Sequence, residues 1–134
     1  MNNRKVYISG EIVPEADAKI SIFDSAVLLG DTVTESTRTF NYKPFKLDDH
    51  LERLYKSFKL TRIDPQMTIE EMKKVSLDLL EINKDQYRGN EDCWLVHNIS
   101  RGHSITGGNP ALQVSKPTVM IYTQPMNLVL WAPF

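Results

Sequence analysis

Only one cysteine, Cys93, occurs in the 134 residues, so neither an internal disulfide nor a thiolate metal site built on several cysteines can form. A reducing, cytoplasmic setting and no bound metal are the expectations that follow. An excess of one charge is also missing: sixteen Lys and Arg face seventeen Asp and Glu, the formal net charge is -1, and neither sign gathers into a run. That balance argues against a footprint for a phosphate backbone, and so against nucleic acid as a partner. No apolar stretch reaches the ~20 residues that cross a bilayer, and the polar start from Met1 to Lys5 leads straight into a strand-like run. A soluble, intracellular protein without a membrane partner is expected. Internal repeats and low-complexity tracts are absent as well. The length suits one domain with one core, and is short for an enzyme whose cofactor cleft lies between two lobes.

What is present is patterned. Val6-Tyr7-Ile8 and Ile12-Val13 flank Ser9-Gly10-Glu11 and read as a hairpin, because glycine tolerates the positive φ of a tight turn. β-Branched residues are dense over residues 19–23 and again over 32–40. In the second run Val33, Glu35, Thr37 and Thr39 alternate with Thr34, Ser36, Arg38 and Phe40, which predicts a strand with two distinct faces. Asn41-Tyr42-Lys43 turns the chain, and Pro44 suits a strand start or an edge. The period then changes: Leu47, Leu51, Leu54 and Phe58 predict a helix over 48–60, with Asp48 or Asp49 as its cap or as a complement to its dipole. Thr68-Ile69-Glu70-Glu71 forms a capping box, Met67 and Met72 are placed as a hydrophobic staple, and a second helix over 68–82 buries Met72, Val75, Leu79 and Ile82.

After a polar stretch from Tyr87 to Asp92, residues 93–100 and 119–123 read as strands, separated by a loop containing Gly107-Gly108-Asn109-Pro110. Strands, two helices, then strands again imply an α+β fold with two helices on one face of an antiparallel-rich sheet. Pro125 starts a departure from the domain. The run Leu128-Val129-Leu130-Trp131-Ala132-Pro133-Phe134 is apolar for a free terminus and implies more protein beyond it. The expected division is a domain over 1–124 and a linker, or the start of a further domain, over 125–134.

Three blocks stand in order: Val6-Tyr7-Ile8-Ser9-Gly10-Glu11-Ile12-Val13 followed by Ala18-Lys19-Ile20-Ser21-Ile22-Phe23-Asp24; Leu29-Gly30-Asp31-Thr32-Val33-Thr34-Glu35-Ser36-Thr37-Arg38-Thr39-Phe40; and Lys43-Pro44-Phe45-Lys46-Leu47-Asp48-Asp49-His50-Leu51-Glu52-Arg53-Leu54. Together they resemble the amino-terminal small domain of the class IV aminotransferases, the family that includes branched-chain and D-amino-acid aminotransferases, aminodeoxychorismate lyase and R-selective amine transaminases. The resemblance covers nearly the whole chain. It implies pyridoxal 5'-phosphate as cofactor, an amino acid or amine and a 2-oxo acid as substrates, and a homodimer. It also places the Schiff-base lysine in a large domain beyond Phe134, so no catalytic lysine is expected here and the isolated chain should be inactive alone. An aminodeoxychorismate lyase-like enzyme and a short non-catalytic binding or dimerisation module are the alternatives.

Residue by residue, the resemblance puts Arg53 on the cofactor phosphate, a role that suits a permanently charged, forked donor. The alternative is an ion pair with Asp49 one helical turn back. The substrate pocket would take Leu29, Thr34, Arg38, Trp94 and Val96. Relatives often carry an aromatic residue in place of Thr34 and a tyrosine in place of Leu29, so the pocket should be wider or more polar than a branched-chain one. Arg38 either attracts a substrate carboxylate or pairs with a neighbouring acid. Glu35, on the other face, reads as structural. His97 reads as a structural or surface histidine, Arg101-Gly102 as a turn, and Cys93 as an inert core thiol. Ile105-Thr106-Gly107-Gly108 stands where the D-amino-acid branch has an arginine and a histidine, which disfavours that branch.

Overall fold

A computed structural model describes residues 3–88, 91–103 and 116–127. The loop around Gly107 to Pro110, with Ile105 and Thr106, and the apolar run from Leu128 lie outside the described residues. Six strands form one sheet: β1 (Lys5–Ile8), β2 (Glu11–Pro14), β3 (Thr32–Phe40), β4 (Lys43–Pro44), β5 (Cys93–Ser100) and β6 (Thr118–Pro125), in the order β2-β1-β6-β5-β3-β4. Every pairing is antiparallel. Among the described residues three α-helices accompany it: α1 (Ser25–Leu29), α2 (Leu47–Thr61) and α3 (Ile69–Asn83). The expected α+β arrangement, with α2 and α3 on one face, is the one observed.

Period two decides what that face buries. Val33, Ile99 and Val119 lie in one cross-strand row, and Glu35, His97, Ile121 and Tyr7 in the next; all are buried. Leu51, Leu54 and Phe58 of α2 and Met72, Leu79 and Leu80 of α3 close over them. Burying such a side chain stabilises the fold by roughly 1.5 to 3 kcal/mol each, the main return on ordering the helices.

Several expectations shift. Helix α2 has no side-chain cap; Lys46 at its start adopts φ 53°, and Asp48 and Asp49 instead occupy the first turn, where they favour the positive end of the helix dipole. The capping box of α3 forms between Thr68 and Glu71. Its buried stripe, however, is Met72, Ser76, Leu79, Leu80 and Asn83, leaving Ile82 exposed and Val75 half-buried. The reason is polar: Asn83 accepts from the Lys5 amide at 2.7 Å and donates to the Lys5 carbonyl at 2.9 Å, pairing with β1 as a strand would. Satisfied in this way, an asparagine can be buried at a position that an apolar period assigns to its neighbour. Residues 19–23, despite their β-branched content, form no strand. Helix α1, unforeseen, is capped by Asp24 at one end and by Gly30 at φ 64° at the other.

His97 is fully buried between sheet and helix. The Ser76 hydroxyl donates to the Met72 carbonyl at 2.7 Å, so at its 2.7 Å contact with His97 the ring Nε2–H is the donor. Nδ1 then carries a lone pair with no hydrogen-bond partner among the described residues. Burial disfavours the charged ring and lowers its pKa to about 4, although Glu35 acts to raise it. Since the folded pKa lies below the unfolded value, the contribution of the neutral ring is fully present above about pH 6.5 and is lost as pH falls toward 4. Urea unfolding between pH 7 and 4 should therefore show a loss on the order of 3 kcal/mol that His97→Gln lacks; equal pH slopes for the two proteins would refute it.

Candidate functional site

Strand β3 sits near one margin of the sheet. Strand β4 pairs only with its last two residues, Thr39 and Phe40, so from Thr32 to Arg38 no further strand lies beside it among the described residues. The candidate residues are arranged on either side of that margin.

On the face away from the helices, the antiparallel register lines up Thr34 with Asn98 and Met120, Ser36 with Val96 and Tyr122, and Arg38 with Trp94 and Gln124. Four of the five candidate pocket residues, Thr34, Arg38, Trp94 and Val96, thus share one patch. Thr34 and Trp94 are exposed, while Val96 is buried. Leu29 ends α1 and is exposed with Ile22, Phe23, Val27 and Leu28, an apolar cluster on the segment leading into β3. Arg38 has partners of its own: its guanidinium stacks over the Phe40 ring at 3.7 Å and lies 3.6 Å from the Asp92 carboxylate. A substrate carboxylate would have to compete with Asp92. A separate groove of about 270 Å³ on this face is lined by Val6, Ile8, Met120 and Tyr122 under Ala18 and Ile20, and contains none of the candidates.

Arg53 lies across β3 on the helix side. Its partner is Glu35, eighteen residues earlier, and not Asp49: Nε donates to Oε2 at 2.8 Å and Nη2 donates to Oε1. Glu35 is 6% exposed, whereas the arginine side chain is 68% exposed. His50, one turn before Arg53 on α2, adds a contact of 2.8 Å from Nδ1 to Glu35 Oε1. A carboxylate has no proton to give, so Nδ1–H is the donor. Burial acts to raise the Glu35 pKa, but hydrogen bonds from Arg53 and His50 outweigh it and hold the carboxyl below its ordinary range. Glu35 is therefore a buried anion with three donated hydrogen bonds. Arg53 keeps Nη1 and one Nη2 proton clear of any partner among the described residues, enough for a second, end-on contact with an oxyanion. A phosphate fits this arrangement.

Two features of this region are not legible in the sequence. Glu35 lies on the expected face, but its partners come from a helix that no local pattern ties to it, and Asp24 carries no motif that singles it out. Asp24 is 3% exposed; it accepts from the Ala26 amide at 2.9 Å and from the Ser100 and Thr118 hydroxyls at 2.6 Å each, tying α1 to the ends of β5 and β6. The other arginine at this end, Arg101, donates to Asp31 at 2.7 Å and to the Thr61 and Arg62 carbonyls at the end of α2, which is more than a turn residue would do. Cys93 is fully buried, and burial pushes its thiol up to about 11, so it is inert as expected. Among the described residues, no group of three or more His, Cys, Asp or Glu could hold a metal ion, and no helix is long and apolar enough to cross a membrane.

The chain matches the family described as amino-transferase class IV over residues 32–132. It is 37% identical over 126 residues to a putative branched-chain-amino-acid aminotransferase of Methanocaldococcus jannaschii, covering 94% of this chain and 42% of that protein. To a D-alanine aminotransferase of Staphylococcus epidermidis it is 31% identical over 120 residues, covering 90% and 41%. Among solved structures, the branched-chain aminotransferase of the thermophilic archaeon Thermoproteus uzoniensis with norvaline is similar with a TM-score of 0.75 at 26% identity, over 91% of this chain and 40% of that one. The chain thus spans about two fifths of the length of these two curated relatives. With the family matched over most of its residues and the small α+β fold observed, this chain belongs to the class IV aminotransferases.

Proposed function

We propose that residues 1–124 are the amino-terminal small domain of a pyridoxal-phosphate-dependent aminotransferase that moves an amino group between an amino acid or amine and a 2-oxo acid, with 125–134 leading toward a large domain. One observation carries this reading: a buried carboxylate holds the Arg53 guanidinium by one edge and leaves its other edge exposed. The bound cofactor would supply an electron sink for bonds at the substrate carbon that carries the amine. Arg53 would fix the phosphate and so set where the rest of the ring lies. Thr34, Trp94 and Val96 would bound the substrate side chain across the margin of β3, with Leu29 closing it from α1. A threonine in the pocket leaves room and a hydroxyl donor, favouring a larger or more polar side chain than a branched aliphatic one. Arg38 would meet the substrate carboxylate in competition with Asp92.

The relatives' names support the transfer of amino groups with an amino acid as donor. The exposed apolar cluster of Ile22, Phe23, Val27, Leu28 and Leu29 supports a face that is covered in the assembled protein, in keeping with a homodimer. A cytoplasmic location is part of the same reading and rests on the single buried thiol. The test is to supply the complete protein with pyridoxal phosphate and to assay amino transfer from a panel of L- and D-amino acids and amines to 2-oxo acids. Saturable cofactor binding with transfer from at least one donor is expected. Binding without any transfer would refute the aminotransferase reading.

A further inference from the structure

Arginine presents two edges to an oxyanion, the side edge formed by Nε and one Nη and the end edge formed by the two Nη atoms. In a long side chain on an exposed helix face neither edge has a fixed direction, and holding it still when a ligand arrives has an entropic cost. Arg53 is different. Its side edge is occupied by Glu35, which belongs to the sheet and cannot follow the arginine into solvent: it is buried, it sits in the middle of β3, and its cross-strand neighbour His97 is fully buried too. His50 approaches the same carboxylate from α2, so its oxygens are constrained from two points on the helix. Backbone and side chain together leave the guanidinium one plane in which to lie.

We propose that Glu35, braced by His50, is a positioning residue for the cofactor phosphate: it takes the side edge of Arg53 so that the end edge is aimed outward before the phosphate arrives. The inference rests on the reading of Arg53 as a phosphate ligand and adds a role for a residue that never touches the cofactor. Two effects of Glu35 oppose each other. Its negative charge near a phosphate weakens binding, while its hold on Arg53 removes the cost of ordering that side chain. The charge is already opposed by Arg53 and receives a hydrogen bond from His50, and the exposed guanidinium lets water screen what remains. Ordering a side chain rich in rotamers, by contrast, has to be met in full at binding, so the hold on Arg53 is the larger effect.

The sign of one measurement decides. In the complete protein, the dissociation constants of pyridoxal phosphate and of pyridoxal are measured for wild type, Glu35→Ala, Glu35→Gln and Arg53→Ala, and their ratio gives the preference for the phosphate. That ratio is insensitive to a general loss of stability, which weakens both ligands alike. Glu35→Ala should reduce the preference by about two- to tenfold, the cost of immobilising one long side chain on binding. Glu35→Gln keeps one acceptor oxygen for Arg53, and should fall between wild type and Glu35→Ala. An unchanged or increased preference in both Glu35 variants would overturn the proposal, because the carboxylate would then only repel the phosphate. If Arg53→Ala itself left the preference unchanged, the underlying reading of Arg53 would fail, a different result from a failure of the Glu35 variants alone. Should Glu35→Ala not fold, the Gln variant alone gives the sign.

Discussion

Complete protein carrying Arg53→Ala is expected to bind pyridoxal phosphate about tenfold more weakly than wild type, or worse, because a bidentate charged contact to a dianion disappears. The substitution should open no cavity in the core, since the arginine side chain is 68% exposed. It does strand Glu35, whose carboxylate keeps only the His50 contact. A buried acid with fewer donors is easier to protonate, so at neutral pH Glu35 should contribute less stability in the variant, and less of it should be lost on acidification than in wild type. The sign follows from the depressed Glu35 pKa: that contribution is present above the unfolded carboxyl pKa and is lost as pH falls through the folded one. Arg53→Lys separates charge from geometry. A lysine keeps the charge but not the fork, and should recover only part of the affinity. Titration of the apo form, followed by cofactor absorbance, checks both variants. An unchanged dissociation constant for Arg53→Ala would reduce the residue to an ion pair with Glu35.

How far the chain can be read without coordinates depends on the distance over which each interaction acts. Strands β3 and β5 and helix α2 are legible because their period lies within a single window: Val33, Glu35, Thr37 and Thr39 alternate, and Leu47, Leu51, Leu54 and Phe58 return every turn. Both faces of β3 follow from that alternation, as does the side on which Thr34 and Arg38 lie. Helix α1 spans five residues, too few for a period to show, although Asp24 before it and Gly30 after it are the residues that start and stop helices. The phase of α3 departs from its apolar pattern where Ser76 and Asn83 are buried by virtue of partners on β5 and β1, which no such pattern records. The same limit hides what Arg53 does. Asp49 is its neighbour in sequence and on the helix surface, yet the carboxylate it holds is on β3, brought close only when the sheet forms. The resemblance to known aminotransferases suggests the proposed role of Arg53, and the fold shows that Glu35 holds it.

Asp24→Ala is expected to destabilise the protein by about 2 to 4 kcal/mol, a large effect for a residue that touches neither candidate ligand. Three donors converge on this carboxylate: the Ala26 amide at the start of α1, and the Ser100 and Thr118 hydroxyls at the ends of β5 and β6. Removing it takes away the cap of α1, a loss of about 1 kcal/mol. It also leaves the Ser100 hydroxyl, fully buried, without its acceptor, at a cost of about 1 to 3 kcal/mol. Thr118 is only half-buried and can turn to water, so its share is smaller. Asp24→Asn should cost less, because the amide oxygen can still cap α1 while a rotated Thr118 hydroxyl accepts from the amide nitrogen. The effect should also be local as well as global. Without Asp24, the segment that carries Leu29 into β3 is held by the Ser25 amide bond to the Gly102 carbonyl at 2.9 Å and, at its far end, by the pair of Asp31 with Arg101 at 2.7 Å. Limited proteolysis under native conditions should then cut between residues 18 and 30 before any other described part of the chain, and the preference among amino donors should relax as Leu29 loses its place. Chemical denaturation and a proteolytic time course read the two consequences separately. Equal midpoints for Asp24→Ala and wild type would show that the three donors find water or other partners, and that the end of the sheet does not depend on this carboxylate.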